Sequence, residues 1–256
     1  MAQNLQQLRR RIKTAQNISK IAKAMEMIAA SKIKKAQNAV ASNKPYSAKI
    51  RDLTQNLLAT KAATTFKHPY IQTNTSDKSI LIAVASDKGL CGSLNTNLMK
   101  QLFELENPNT YLITLGRKVE LAAAKTKFNL IASYPMGSTL PAYSDLHNIT
   151  VLINEYIEQN KASKVEILYT GFESLFTQKP EVKKLLPIVP EEGIVANTER
   201  AVIVEPSTET LLEKLLPHYF EVELYQSLIE AYTSEQAARM IAMQNATENA
   251  LEIVEE

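Results

Sequence analysis

The sequence is short of several things, and each shortage excludes something. Cysteine occurs once, at Cys91, so no disulfide can form within the chain and a reducing compartment is expected. Apolar runs are brief, and none approaches the ~20 residues that cross a bilayer, so no direct membrane insertion is expected. Histidine is confined to His68, His147 and His218, and no H-E-x-x-H, G-x-S-x-G or Cys/His metal spacing occurs. Glycine is scarce, 6 in 256 residues, and the first is Gly89. Neither the G-x-x-x-x-G-K-[ST] phosphate loop nor the G-x-G-x-x-G dinucleotide loop is present, so no cofactor is expected. The N-terminus, MAQNLQQLRRRIK, lacks the apolar centre of a secretory signal. The helical pattern starts almost at Met1, which leaves no room for a removable leader.

What is present is strongly polarised. The formal net charge is only +2, yet residues 1–51 hold twelve basic side chains against the single acid Glu26. Residues 218–256 hold eight Glu against the single basic Arg239. A basic head and an acidic tail in one chain point to two ends that meet.

Residues 1–44 contain neither Pro nor Gly. Apolar or small residues fall at 5, 8, 12, 15, 18, 22, 25, 29, 33, 36 and 40, a mean step of about 3.5, the coiled-coil period. A helix of that length measures ~66 Å at 1.5 Å per residue, too long to lie on one globule, so it needs a partner. The pattern predicts an interruption at Pro45, then more helix to roughly Phe66, ending at His68-Pro69. From His218 onward Pro and Gly are again absent, and Ala231, Ala237, Ala238, Ala242, Ala246 and Ala250 make a helix thin on one side. The economical arrangement is an antiparallel pair.

Between the two helical ends the pattern changes. Ser79–Ser86 is a continuous apolar strand, as in a buried parallel sheet. A helix is expected over 94–106, a strand over 111–115, a helix over 119–125 and a short strand over 128–133. An amphipathic helix at 144–160, strands at 165–169 and 182–189 (the latter interrupted by Pro187) and a short apolar piece at 202–204 complete it. Alternation of this kind predicts a mostly parallel, doubly wound sheet.

The turn Ser86-Asp87-Lys88-Gly89-Leu90-Cys91-Gly92-Ser93-Leu94-Asn95 sits between a strand and a helix, where phosphates often bind. Without a phosphate-loop pattern or a His base in a recognisable context, the plainer reading is a tight turn permitted by Gly89 and Gly92, with Cys91 packed inside. The sharper reading makes Cys91 a nucleophile activated by the helix that follows. The basic run of residues 9–35 could grip nucleic acid, but stacking on bases wants aromatics, and the first in the chain is Tyr46. Otherwise it is a solvated face, or a basic shaft inside an acidic protein socket.

Three stretches together carry a family resemblance. IAKAMEMIAASKIKKAQ at 21–37 resembles the N-terminal helix of ATP synthase γ subunits. SDKGLCGSLN at 86–95 resembles the family's central signature, with Lys88 where Arg is usual, and SEQAARMIAMQNATEN at 234–249 is similar to its C-terminal signature. The resemblance implies an α/β fold class with an antiparallel coiled coil of the N- and C-terminal helices and a central Rossmann-like domain. The division is a coiled-coil helix over 1–68, an α/β domain over 69–206 and a second coiled-coil helix over 207–256. It implies a non-catalytic shaft inside a ring of three α and three β subunits, its foot on the membrane c-ring beside the ε subunit. Lys20, Lys23 and Met25 fall where the shaft faces acidic levers of β, Arg239 where it meets the β catch loop, and Glu205 near the c-ring. Val202 and Val204 stand where some members have tyrosines. The family's final helix usually runs several turns beyond the position of Glu256, and the chloroplast-type cysteine pair is missing. With no leader, the expected place is the cytoplasmic face of a bacterial plasma membrane rather than a mitochondrion. The competing readings are a nucleic-acid-binding protein with a basic helical arm and an enzyme that uses Cys91.

Overall fold

The computed structural model describes residues 2–60, 66–72, 74–190, 205 and 207–255. Two long helices dominate it: α1, Ala2–Leu58, and, last in the chain, α5, Thr208–Glu255. Along α1 the inward positions Ala15, Ser19, Ala22, Glu26, Ala29, Ile33, Ala36, Val40, Asn43 and Ser47 are buried or half-buried. They alternate in steps of four and three, which is the heptad pattern of a paired helix. Asn43 Nδ2 donates to Gln226 Oε1 at 3.1 Å and Arg51 pairs with Glu223 at 2.9 Å, while Ser19 lies beside Thr247. Rising numbers on α1 meet falling numbers on α5, so the pair is antiparallel.

This seam differs from the expected stripe in two ways. Leu5, Leu8 and Ile18 were assigned to it by period, but all three are exposed, and Ser19 takes the inward place beside Ala15 and Ala22. Small side chains that admit a close approach are buried on both helices, Ala15, Ala22, Ala29 and Ala36 on α1 and Ala231, Ala237 and Ala250 on α5. The opposite charges on the two ends do not zip the seam either. Arg9, Arg10, Arg11, Lys13, Lys20, Lys34 and Lys35 are exposed, and small-residue packing closes the pair.

The expected break at Pro45 does not occur: α1 runs through it, and α5, which begins at Thr208, likewise passes through Pro217. A proline inside a helix removes one hydrogen bond and crowds the preceding turn, at a cost of ~3 kcal/mol. Pro45 is exposed, while Asn43, Ser47, Ile50 and Thr54 continue the seam beneath it. Tertiary packing on both sides of the proline therefore holds the helix together. α1 ends at Leu58, and the part of the expected continuation that falls on 61–65 lies outside the described residues.

Between the long helices lie the strands β1 (Ser79–Val84), β2 (Thr110–Leu115), β3 (Asn129–Tyr134), β4 (Lys164–Phe172) and β5 (Gln178–Leu186). Their order is β3-β2-β1-β4-β5; the first four are parallel and β5 is antiparallel to β4. The sheet is thus mostly parallel, as the pattern predicts. The strand expected at 182–189 begins at Gln178 and stops before Pro187, which has no N–H for the ladder. The apolar piece at 202–204 lies outside the described residues.

Both faces of the sheet are covered, which is why β1 reads SILIAV without alternation. On one face Leu81, Ala83 and Leu112 meet α2 (Leu94–Glu104) and α3 (Arg117–Ala123) through Leu98, Leu102 and Val119. On the other, Ile80, Ile82 and Ile167 meet Ile149 and Ile153 of α4 (His147–Glu158) together with Leu216, Phe220 and Leu224 of α5. The helix expected at 144–160 opens with a single 3-10 turn, Tyr143–Leu146. Helix α5 therefore lies between α1 and the sheet, and nearly every residue from Val222 to Ala237 is buried. A helix enclosed all round has no polar stripe to show.

Glu223 joins all three layers. Its carboxylate, 4% exposed, accepts from Arg51 of α1 at 2.9 Å and from Lys183 of β5 at 2.5 Å. Burial alone would raise this carboxyl, but the Lys183 ammonium and the Arg51 guanidinium outweigh it and hold it below the usual range. A depressed carboxyl stabilises the fold above its unfolded pKa and loses that contribution as pH falls through its folded value. Glu223→Gln should lower stability at pH 7 by about 1–3 kcal/mol, a range discounted because both cations are partly exposed. The gap between variant and parent in urea melts should close as pH drops well below 4.5.

A filled crevice and an exposed shaft as the candidate functional site

In an open α/β sheet the natural ligand site is the crevice at the carboxyl ends of the strands, where the strand order reverses. Here the reversal falls between β1 and β4, because the chain steps from β1 to β2 and β3 on one side and then to β4 on the other. The crevice is filled by the protein itself. Ala231 and Glu235 of α5 pack against Val84, Ala85 and Ser86 at the end of β1 and Thr170 of β4, leaving an enclosed space of only about 10 Å³. That is room for one water at most.

The turn that follows β1 is tied down from several directions. Asn95 Nδ2 donates to Ser86 Oγ at 2.8 Å, and Ser86 Oγ donates its one proton to the Lys88 carbonyl at 2.6 Å. Asp87 accepts the backbone N–H of Arg117 at 2.9 Å and of Gly137 at 2.7 Å. A carboxylate at the N-terminus of α3 supplies the anion that a bound phosphate would otherwise provide. Of the two glycines expected to shape the turn, only Gly92 adopts a positive φ, 58°, and Leu90 takes the left-handed conformation beside it at 63°. The backbone that most needs glycine is Gly116, where a Cβ would lie 1.9 Å from the Ala85 carbonyl oxygen. Composition does not reveal that position, because the close approach is between two strands' ends.

Cys91 sits inside this turn, 1% exposed, with Asn95 Nδ2 at 3.1 Å from its sulfur. Burial pushes the thiol up from its ordinary value, which is the wrong direction for a nucleophile. The histidines are elsewhere: His218 bonds Tyr46, and His68 lies against Phe66 and Tyr70. The packed-cysteine reading holds, and Cys91 is not set up for covalent chemistry.

The five residues named from the resemblance do not converge on one place. Lys20 and Lys23 line a groove between α1 and α5 with Gln244, Thr247 and Glu248, and Lys23 pairs with Glu26 at 2.9 Å. Met25 is half-buried on the same stretch of α1, and Glu205 is exposed ahead of α5. Arg239 has a side chain only 11% exposed. Its guanidinium donates to Glu235 at 2.7 Å and to the Gly89 carbonyl at 3.3 Å, bracing the turn after β1 from the shaft. Burial raises the Glu235 carboxyl, and Arg239 works against that shift. Sequence reading missed Glu235 as Arg239's partner and Asp87 as the helix anion; a Glu four residues before an Arg was the available signal.

Among the described residues, the crevice filled by α5 leaves no place for a nucleotide at the ends of β1 and β4. The purified chain should show no calorimetric binding of ATP at micromolar concentration and no hydrolysis. Cys91→Ser should leave activity of the assembled complex within about tenfold of the parent, ~1.4 kcal/mol in barrier terms.

The chain matches the family model described as ATP synthase over residues 4–256. It is 32% identical to the ATP synthase gamma chain of Methylacidiphilum infernorum, covering 98% of this chain and 89% of that protein. With the ATP synthase gamma chain of Dehalococcoides mccartyi it shares 35% identity over 99% of this chain and 90% of the relative. Among solved structures it resembles a chain of the Euglena gracilis mitochondrial ATP synthase rotor, with a TM-score of 0.70 at 18% identity, covering 100% of this chain and 95% of that one. It also resembles a chain of the Tetrahymena thermophila central stalk and c-ring, with a TM-score of 0.66 at 22% identity, over 88% and 99% of the two. The two structural likenesses speak to the fold, and the sequence match carries the identity. It leaves the nucleic-acid-binding and Cys91-enzyme readings without support: the chain belongs to the ATP synthase γ-chain family.

Proposed function

We propose that this chain is the central rotor shaft of an F-type ATP synthase. It couples transmembrane proton flow through the c-ring to conformational cycling of the catalytic β subunits and ATP synthesis, and is itself non-catalytic. The observation that carries the reading is the surface of the paired helices. Ile18, Ile21, Met27 and Ile28 of α1 and Leu251 and Ile253 of α5 are exposed among uncovered Arg and Lys side chains. Apolar groups left in the open on a long basic rod suit a rod that works inside a protein sleeve.

The partners are the α and β subunits around the paired helices, with the ε subunit and the c-ring at the α/β foot. The working division is residues 1–68 and 207–256 as shaft and 69–206 as foot. Lys20, Lys23 and Met25 face acidic segments of β, and Glu205 lies toward the c-ring. Arg239, its side chain 11% exposed, meets the β catch loop while bracing the turn after β1. Among the described residues no helix is long and apolar enough to cross a membrane, so attachment runs through the c-ring. The place of work is the cytoplasmic face of a bacterial plasma membrane. Co-purification of the tagged chain with α and β subunits in a complex that hydrolyses ATP tests the whole reading; a chain recovered alone would overturn it.

Met25→Lys tests the shaft contact. A further ammonium beside Lys20 and Lys23 would attract acidic β side chains at some rotor angles and not others. A pair 4 Å apart at an effective dielectric of ~20 interacts by about 4 kcal/mol before desolvation is counted. Only a stabilisation that differs between angles raises the barrier to the next step. The variant complex should therefore assemble but pump fewer protons per ATP hydrolysed. Parental pumping per ATP, or no assembly at all, would show that Met25 does not face β in this way.

A further inference from the structure

The two edges of the sheet are guarded very differently. β5 reads QKPEVKKLL, and its Lys179, Pro180, Glu181, Lys183 and Lys184 are the residue types that discourage an edge from pairing with another chain. β3, at the opposite edge, reads NLIASY and holds no charge and no proline. One side of β3 pairs with β2 and the sheet ends there, so among the described residues its outer backbone groups face no strand. Asn129, Leu130 and Ser133 are exposed.

The surroundings of this edge indicate what it would accept. Leu130 is 44% exposed and pairs in register with Leu112, whose side chain belongs to the α2/α3 face. On that same face Leu121 of α3 is 57% exposed. Arg117, Lys118, Lys125 and Lys127 are all exposed, against the acids Glu120 and Glu106, the latter accepting the Lys127 amide. Lys127 before the strand and Pro135 after it confine the open edge to a single short segment.

We propose that the β3 edge docks an extended, acidic segment of another polypeptide, which adds to the sheet as a sixth strand. Backbone hydrogen bonds along β3 supply affinity. Alternate apolar side chains of the segment reach Leu121 and Leu130, and its carboxylates lie against Lys125 and Lys127. A second copy of this chain is disfavoured as occupant, because edge-to-edge pairing would bring two basic rims together.

The inference goes beyond the rotor reading but rests on it, since the segment must come from a subunit of the complex. Hydrogen exchange of the free chain, compared with the chain in its purified complex, tests both. Amides of Asn129–Tyr134 should exchange at least roughly tenfold more slowly in the complex, with the outer edge of β5 unchanged. The double variant Lys125→Glu/Lys127→Glu should lose most of that protection at low salt. Lys125→Arg/Lys127→Arg should keep it. Equal exchange of β3 in the free and assembled chain would overturn the docking site while leaving the rotor reading intact. Charge reversal without effect would overturn the acidic partner. Protection that appears in the free chain as its concentration rises would replace that partner with a second copy, and failure to recover any complex would count against the rotor reading itself.

Discussion

The structure depends on the burial of one helix on all its sides. From Val222 to Ala237, α5 is held by α1 on one flank and by the sheet on the other. That arrangement requires small residues facing it on α1, a closed crevice at the ends of β1 and β4, and charge partners wherever α5 brings a carboxylate inside. Ala29 and Ala36 meet the first requirement and Ala231 packed on Val84 and Ala85 the second. Glu223 with Arg51 and Lys183, and Glu235 with Arg239, meet the third. A force applied to the foot therefore reaches the shaft through side chains packed on three fronts. A hinge would concentrate the same force at one loop.

The same burial closes the place where a sheet of this topology would take a nucleotide. The fold offers its ligand crevice between β1 and β4, and α5 occupies it. The turn after β1 joins a strand to a helix, as phosphate loops do, but Asp87 within it caps α3 and Arg239 from the distant helix braces its backbone. What would be a binding site becomes a joint between the foot and the shaft.

Much of this was legible in the sequence, and the limits have physical causes. Apolar runs such as SILIAV and spacings such as Leu94, Leu98 and Leu102 are local, and they placed the strands and short helices within a few residues. Pro45 misled because its penalty is local while the compensation is tertiary: the seam on both sides of it decides the matter. The stripe misassigned Ile18 because the period fixes a face only to within one position, and the partner helix chose Ser19. Lys20 and Lys23, named from the resemblance, are exposed, but nothing near Arg239 announced a bond to a carbonyl 150 positions earlier. Contacts of that separation exist only once the sheet and α5 are assembled.

The charge asymmetry has a different meaning from the one the sequence suggests. Opposite ends could have met through a ladder of ion pairs, yet the basic residues of α1 lie mostly outward and small side chains close the seam. An exposed ion pair contributes only ~0.2–1 kcal/mol and is screened by salt, so such pairs would have made a weak spine. The same weakness suits a surface that must slide. A rod that turns within a sleeve has to bind at many angles without a deep minimum at any one. On the rotor reading proposed above, the exposed Arg9, Arg10, Arg11, Lys13, Lys34 and Lys35 would offer many shallow, screened attractions, a smoother profile than a few buried bonds would give. Rigidity is thus assigned to apolar packing inside the shaft, and mobility to solvated charge on its outside.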